Sequence, residues 1–240
     1  MDQNTGNIFK RGRNGRMIIL ADKIYTMILA YKGTEKLWNS ARDEIAALEK
    51  VIEGKLDLLR KDFINLRSYR SLRYDSDFIF WVSSHKPEDF YRFKAELNLL
   101  FRGMAETSFS MLSIYEHSPY LKGNATLEDT LHNSPSPYFV AYPMSKTVDW
   151  YLIDYEERKR ILAEHIGMAV SHPENRDIRS YTTYSFGLGD QEFVVLYEVD
   201  DLSAWSHVTE KLREATARKW IIREWPILVG TLNEPFRILP

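Results

Sequence analysis

Cysteine is absent from the 240 residues of the sequence. Without thiolates, the chain can form no disulfide bond, no zinc–thiolate site and no cysteine-ligated iron–sulfur cluster. Long apolar runs are absent too, since no stretch approaches the roughly 20 residues that a membrane-spanning helix requires. The first sixteen residues are polar and basic and lack the apolar segment of a secretory signal. We therefore expect a cytoplasmic protein in which His, carboxylate, Tyr or Met side chains would hold any metal.

An excess of charge of one sign is also lacking. Lys and Arg number 32 against 34 for Asp and Glu, which gives a formal net charge of −2. Nucleic-acid binding depends on neutralising many phosphates, so we expect no nucleic-acid partner. Hydrophobic residues make up 44% and charged residues 28%, a balance that excludes a wholly disordered chain.

A β-α-β-β-α-β order occurs twice along the chain. Apolar residues at three- and four-residue steps predict the helices, and alternating or β-branched runs predict the strands. The predicted helices span about 35–63, 87–105, 154–170 and 202–218. The sequence LRSY at 66–69 in the first half corresponds to IRSY at 178–181 in the second half. The repeat predicts an α+β fold: a tandem ferredoxin-like repeat, or dimeric α+β barrel, with two antiparallel sheets and helices on the outside.

The composition along the chain divides it into four parts. These are a flexible tail (1–16), an N-terminal ferredoxin-like domain (17–120), a linker rich in Ser, Pro and Asn (121–136) and a C-terminal domain (137–240). The open faces of the two sheets could pair into a barrel-like core. Such a core either holds a cofactor or small ligand, or is simply packed with side chains.

One of the six histidines is a candidate metal ligand. His165 falls mid-helix on the stripe that also carries Ile161 and Met168, where an imidazole needs a partner. It is either a hydrogen-bonded core residue or a ligand. His172 lies two turns further on, about 10.5 Å along the axis, too far to share one ion. A single protein ligand points to a metal whose other positions are already filled, as in haem.

The predicted strand 138–146 collects unusual side chains on one face. Alternation places Tyr142, Met144 and Lys146 together. This face is either a plain structural one or part of a site. Arg179 and Arg213 are the arginines most plausibly near the same cavity, and Arg recognises carboxylates such as haem propionates. The alternative for each Arg is a solvated position.

These residues resemble the chlorite dismutase-like superfamily, whose most widespread members are coproheme decarboxylases. The resemblance rests on YFVAYPMSKTVDWYLIDYEERKRILAEH (138–165), SYTTYSFGLGDQEFVVLYEVDD (180–201) and LREATARKW (212–220). It covers the C-terminal half strongly. The N-terminal half matches only through the repeat architecture.

The resemblance implies a pair of ferredoxin-like domains assembled as a homopentamer, with haem in the C-terminal half. His165 would be the proximal iron ligand. Tyr142 matches the tyrosine whose radical abstracts hydrogen from a propionate, which then loses carbon dioxide and becomes a vinyl group. Lys146 and Arg213 match residues beside the propionates, and Met144 matches a methionine near the porphyrin edge. Coproheme would be both substrate and cofactor in haem biosynthesis, with hydrogen peroxide as the oxidant.

The sequence also departs from the family pattern. Ser180 stands where chlorite dismutases carry a distal arginine, which argues against chlorite chemistry. Arg179 is adjacent, although alternation should turn it to the opposite face; both count here as candidate cofactor-binding residues. Near Thr216 and Ala217 the family commonly has a glutamate that bonds the proximal histidine, and none is present.

The sequence as a whole thus predicts a peroxide-dependent coproheme decarboxylase. Two alternatives stay open. One is a non-catalytic haem-binding or haem-transfer protein, or a haem-free scaffold. The other is a chlorite dismutase or peroxidase-like enzyme.

Overall fold

The structure is a computed structural model that describes residues 9–11, 17–19, 23–117 and 126–239. The first two ranges form an antiparallel ribbon of β1 (Phe9–Arg11) and β2 (Met17–Ile19). The predicted tail therefore includes one short strand, and the rest of the tail lies outside the described residues. The same holds for residues 121–125 of the predicted linker.

The remaining elements follow the predicted order. The strands are β3 (Ile24–Gly33), β4 (Asn65–Ser71), β5 (Phe78–Ser84), β6 (Ala105–Tyr115), β7 (Tyr138–Lys146), β8 (Ile178–Tyr184), β9 (Phe193–Val199), β10 (Ile221–Arg223) and β11 (Leu228–Leu232). The helices are α1 (Glu35–Trp38), α2 (Arg42–Leu59), α3 (Glu88–Phe101), α4 (Leu127–Leu131), α5 (Val148–Leu152), α6 (Tyr155–Ser171) and α7 (Leu202–Lys211). Across the described ranges, no helix combines the length and apolar character needed to cross a bilayer.

Three predicted helices are shorter than expected, and α3 ends at Phe101, four residues before the predicted end. The helix predicted over 35–63 is divided into α1 and α2, and α2 begins where the Glu44 carboxylate accepts the backbone N–H of Ala41 at 3.2 Å. This side-chain bond starts a new helix by satisfying an N–H that has no intrahelical partner. The helix predicted over 202–218 ends at Lys211 and continues as two 3₁₀ turns, Leu212–Glu214 and Thr216–Trp220.

Eight antiparallel strands close into one barrel-like sheet, in agreement with the expectation that the two sheets form a barrel. Their order is β7-β11-β4-β5-β3-β6-β8-β9, and β9 pairs back with β7; β10 adds to the sheet beside β7. The N-terminal half supplies β4-β5-β3-β6 and the C-terminal half supplies β8-β9-β7-β11. If the barrel strands of each half are numbered along the chain, both halves have the second, third, first and fourth strand side by side. The halves meet through β11–β4 and through a single β6–β8 pair, Ile114 with Tyr184. Closure removes the free edges that two open sheets would leave.

The barrel interior is packed with side chains. Phe139 stacks between Tyr69 and Trp81, with ring centroids 4.5 Å and 5.3 Å away. Tyr181 meets the edge of Trp81 at 5.1 Å, and all four side chains are buried. The barrel core that the described strands form is therefore packed with side chains and does not enclose a ligand site. A cofactor would have to bind outside the barrel.

The two outer faces of the barrel are covered unequally. In the N-terminal half, α2 buries five residues and α3 buries four, and they join one large hydrophobic cluster with β3, β4 and β5. In the C-terminal half, α6 buries only Ile161 and α7 buries only Val208. The hydrophobic cluster there consists of Trp150, Ile161 and Ala217 with a few partly buried neighbours. The outer face of the C-terminal half is thus lightly packed.

A buried ionic cluster joins the two halves. Glu198 of β9 is fully buried and pairs with Arg67 of β4 and, at 3.2 Å, with Arg179 of β8. The Tyr181 hydroxyl donates to the same carboxylate at 2.9 Å. Arg67 also donates to the backbone oxygen of Leu131 at 2.8 Å, which ties the end of α4 to the barrel.

Removing the carboxylate from this cluster should destabilise the fold strongly. We expect Glu198→Gln to lower the free energy of unfolding by about 3–5 kcal/mol, because the buried Arg67 and the partly buried Arg179 lose their counter-charge. Denaturant unfolding followed by circular dichroism measures the change. Glu156→Gln, at an exposed position on α6, should stay within about 0.5 kcal/mol of the parent. A loss below about 1 kcal/mol in Glu198→Gln would show that the cluster is not a structural tie.

Candidate functional site

Strand β7 turns its even-numbered residues towards the lightly packed outer face. Phe139 and Ala141 belong to the interior cluster, so alternation directs Tyr142, Met144 and Lys146 outwards. Tyr142 and Met144 are partly buried, whereas Lys146 is buried. The face predicted from the sequence thus exists on β7, and it lies outside the barrel.

Tyr142 belongs to a short row of stacked aromatic residues. Its ring centroid lies 6.1 Å from that of Tyr197. Tyr197 also packs on Trp205, with the ring centroids 4.2 Å apart. Burial raises the pKa of Tyr142 well above its usual value, and Tyr197 and Glu224 add to the effect. Tyr142 is therefore a neutral phenol throughout the physiological pH range.

Lys146 is a buried ammonium without a carboxylate partner. Its Nζ lies 3.4 Å from the centroid of Trp150, and no carboxylate of the described residues reaches ion-pair distance. The Glu192 carboxylate accepts the backbone N–H of Lys146 at 2.8 Å and the Tyr151 hydroxyl at 2.5 Å. Burial lowers the pKa of Lys146 to about 8, with Glu192 opposing the change. Such an uncompensated charge is suited to an anionic ligand.

His165 projects from α6 with the partly buried stripe of that helix. The helix begins at Asp154, whose carboxylate accepts the backbone N–H of Glu156 at 2.9 Å. Nδ1 of His165 is buried and has no hydrogen-bond partner among the described residues. Burial lowers the pKa of His165, and the positive charges of Lys146 and Arg218 act in the same direction. The imidazole is therefore neutral at pH 7, the form that binds metals.

His172 caps a turn and is not a second ligand beside His165, in agreement with the distance expected between the two residues. Its Nδ1 accepts the backbone N–H of Glu174 at 3.3 Å and thereby caps the 3₁₀ turn Pro173–Asn175. Within the ranges that the structure describes, no group of three or more His, Asp or Glu side chains could hold a metal ion by itself. A bare metal site built from several protein ligands is therefore not found there.

Arg213 lies at the edge of the site in an ion-pair cluster that the sequence did not reveal. Its Nη1 is 2.8 Å from Oε2 of Glu224, and Nη1 of Arg218 is 2.5 Å from Oε1 of the same residue. Both arginines hold the pKa of Glu224 below its usual value, although burial opposes them. The charge of Glu224 reaches both Tyr142 and His165.

The glutamate that the family commonly has near Thr216 and Ala217 is only partly replaced by other carboxylates. Glu224 supplies a carboxylate in this region from eight residues further along the chain. Glu164, next to His165 in the sequence, accepts the Thr216 hydroxyl at 3.0 Å. Neither carboxylate bonds the buried Nδ1 of His165. The sequence did not predict this role of Glu224, because a 3₁₀ turn and β10 separate it from Thr216 along the chain.

The structure brings most of the predicted site residues to one face. His165 interacts electrostatically with Lys146, and Tyr142 does so with Arg213. Met144 lies on the Tyr142 face of β7, and Ser180 of β8 lies opposite Tyr197 of β9.

Arg179 is the exception and requires a correction. It lies on the interior side of β8, where it pairs with Glu198 and donates to Ser136 Oγ at 2.9 Å. Strand alternation separates it from Ser180, so the structure gives Arg179 a role in the buried ionic cluster and not in the outer site.

Comparison with known proteins identifies the family. The model of a family described as chlorite dismutase matches residues 41–233. This chain belongs to that family. The match covers both halves of the barrel, including the N-terminal half that the sequence matched only by its architecture.

Three relatives illustrate the range of the family. A coproheme decarboxylase of Mycolicibacterium smegmatis is 28% identical over 195 residues, which cover 78% of this chain and 79% of the relative. A crystal structure provisionally described as a chlorite dismutase is 51% identical with a TM-score of 0.83, and covers 90% of this chain and 97% of that chain. A haem-binding protein from Thermus thermophilus shares the fold at 17% identity and a TM-score of 0.77, and covers 88% and 92% of the two chains.

Replacing the unpaired ammonium should stabilise the protein. The pKa of Lys146 is about 8 in the fold against 10.5 for a free lysine, so the unfolded chain binds more protons between these values. Stability of the parent therefore rises with pH across this window. We expect Lys146→Met to raise the free energy of unfolding at pH 7 by about 1–2 kcal/mol, after allowance for the lost contact with Trp150.

Denaturant unfolding at pH 7 and pH 9.5 measures this effect, and the gain should shrink at the higher pH. Lys159→Met, at an exposed position on α6, is the matched control and should change little at either pH. Equal destabilisation by Lys146→Met at both pH values would mean that the ammonium is compensated within the protein.

Proposed function

We propose that this protein is a haem-dependent oxidoreductase and, more narrowly, a peroxide-dependent coproheme decarboxylase. One observation carries the proposal. A neutral His165, an unpaired Lys146 and a protonated Tyr142 share the lightly packed outer face of the C-terminal half. The name of the Mycolicibacterium smegmatis relative supports the choice of substrate.

The residues on this face fit an iron porphyrin. His165 has a buried ring nitrogen without a partner among the described residues, and its neutral form supplies a lone pair for iron. Lys146 and Arg213 are cations suited to propionate carboxylates. Met144 offers an apolar, adaptable contact for a macrocycle edge. The absence of a carboxylate bonded to Nδ1 of His165 predicts a weaker donor ligand than one with such a partner.

When bound, iron coproporphyrin would supply a centre that hydrogen peroxide oxidises, together with the propionates that are converted. Each propionate side chain would lose one hydrogen atom, one further electron and its carboxylate as carbon dioxide and become vinyl, while one peroxide takes up the two electrons and two protons and becomes two waters. Tyr142, oxidised by loss of its phenolic hydrogen, would take the hydrogen atom from the propionate side chain; burial keeps the proton on its oxygen beforehand, and the ring of Tyr197 stacks beside it. Lys146 would hold the propionate carboxylate close to Tyr142.

Non-catalytic haem binding or transfer is the second candidate. Nδ1 of His165 has no carboxylate partner among the described residues, which favours weak activation of a bound iron. Chlorite decomposition has less support, because Ser180 provides no guanidinium beside Tyr197. The ferredoxin-like origin of both halves, the homopentamer and the cytoplasmic location are part of the proposal as well.

Replacing Tyr142 separates the enzyme from the carrier. Apo-protein mixed with ferric coproporphyrin and hydrogen peroxide should yield porphyrin that has lost carbon dioxide stepwise, as seen by mass spectrometry. Tyr142→Phe should lower the rate by a factor of about 100 or more while porphyrin binding is kept. Tyr138→Phe, on the same strand, is the control and should stay near the parent rate. If the parent leaves the porphyrin mass unchanged, decarboxylation is wrong and the carrier is favoured; oxygen release from chlorite would favour the third function.

Replacing His165 tests the metal ligand independently of turnover. The Soret band of ferric coproporphyrin should shift when the parent or His172→Ala is added, because His172 only caps a turn. His165→Ala should lose the shift or show that of a water-ligated iron. An unchanged spectrum in His165→Ala would assign the iron to another residue. Thermal unfolding of the three proteins shows whether each is folded.

A further inference from the structure

A carboxylate of the chain itself sits between the two arginines at the edge of the site. One oxygen of Glu224 faces Arg213 at 2.8 Å and the other faces Arg218 at 2.5 Å. The side chain of Glu224 is 19% exposed, whereas that of Arg213 is 45% exposed. Each carboxylate oxygen therefore engages a different guanidinium group, in the manner in which arginines bind a free carboxylate.

This arrangement differs from the other ion pairs on the C-terminal helices. Arg160 pairs with Glu157, and Lys211 pairs with Glu214, one turn away on the same segment and largely exposed to water. Such pairs contribute little to stability. Glu224 instead comes from beyond β10 and joins two arginines of two successive turns. Glu224 also contributes to the pKa shifts of Tyr142 and His165, so the cluster of Glu224, Arg213 and Arg218 lies near these two residues.

The two guanidinium groups and the one carboxylate leave a single net positive charge. A porphyrin propionate carries the same functional group as Glu224 and needs the same hydrogen-bond donors. Arg213 cannot offer its best geometry to both carboxylates at once. A propionate that approaches Arg213 therefore competes with Glu224.

We propose that Glu224 occupies the carboxylate position between Arg213 and Arg218, and that a porphyrin propionate must displace it to bind. The inference rests on the proposed function and deepens it. Glu224 is then a specificity-determining residue: it lowers affinity for every anion, and a ligand overcomes it only with further contacts elsewhere on the face. Arg218 becomes a second arginine available to the ligand carboxylate.

Binding titrations of the full chain test the proposal without turnover. Ferric coproporphyrin is added to the parent, to Glu224→Gln and to Glu214→Gln, and the Soret change gives each dissociation constant. Glu214→Gln is the matched control, because it removes the same charge next to Arg213 from an exposed position. The same series with the tetramethyl ester of ferric coproporphyrin shows whether the effect needs carboxylates. Thermal unfolding confirms that each variant is folded.

We expect Glu224→Gln to bind the free acid about tenfold more tightly than the parent, with no gain for the ester. Glu214→Gln should stay within about twofold for both ligands. Weaker binding by Glu224→Gln would overturn the proposal and make Glu224 a residue that positions the arginines. An equal gain for the ester, or for Glu214→Gln, would overturn it in favour of a general charge effect. If the parent binds neither porphyrin, the proposed function fails and this inference fails with it.

Discussion

Closure of the sheet is the constraint on which the rest of the structure depends. An eight-stranded barrel has an interior that its own side chains just fill, and here aromatic residues such as Tyr69, Trp81 and Phe139 fill it. Any ligand must then bind on the outside, between strands and helices. The N-terminal half closes that layer with α2 and α3. The C-terminal half leaves it lightly packed, and the candidate site lies there.

Burial acts on the three central groups of that site in a consistent way. It disfavours the charged form of each, so it raises the pKa of Tyr142 and lowers the pKa of His165 and Lys146. The result is a protonated phenol beside a neutral imidazole and a cation that has no ion-pair partner in the part of the chain that the structure describes. These are the states suited to hydrogen donation, metal ligation and anion binding. The same burial means that the Lys146 ammonium lowers the free energy of unfolding, and functional residues often have this cost.

Two carboxylates of the protein each pair with two arginines, but in different surroundings. Glu198 is surrounded by Arg67, Arg179 and Tyr181, and its cluster joins the two halves where β4 and β9 face the same interior. Glu224 joins Arg213 and Arg218 at a half-exposed edge, where a carboxylate can be exchanged. Full burial favours a permanent structural tie, whereas partial exposure permits competition with a ligand. Arg179 shows how strongly this depends on strand alternation, since its neighbour Ser180 faces the other way.

The sequence by itself determined the order of elements, the α+β class and the face of β7 that carries Tyr142 and Lys146. Periodicity reports which residues share a face, and these features are local. Only the tertiary structure decided which strands join the two sheets into one barrel, because pairing between β11 and β4 and between β6 and β8 links residues far apart in sequence. It also decided that Glu224 meets Arg213 and that Arg179 joins Glu198. Such contacts depend on how separate segments pack in space, and no short-range pattern encodes them.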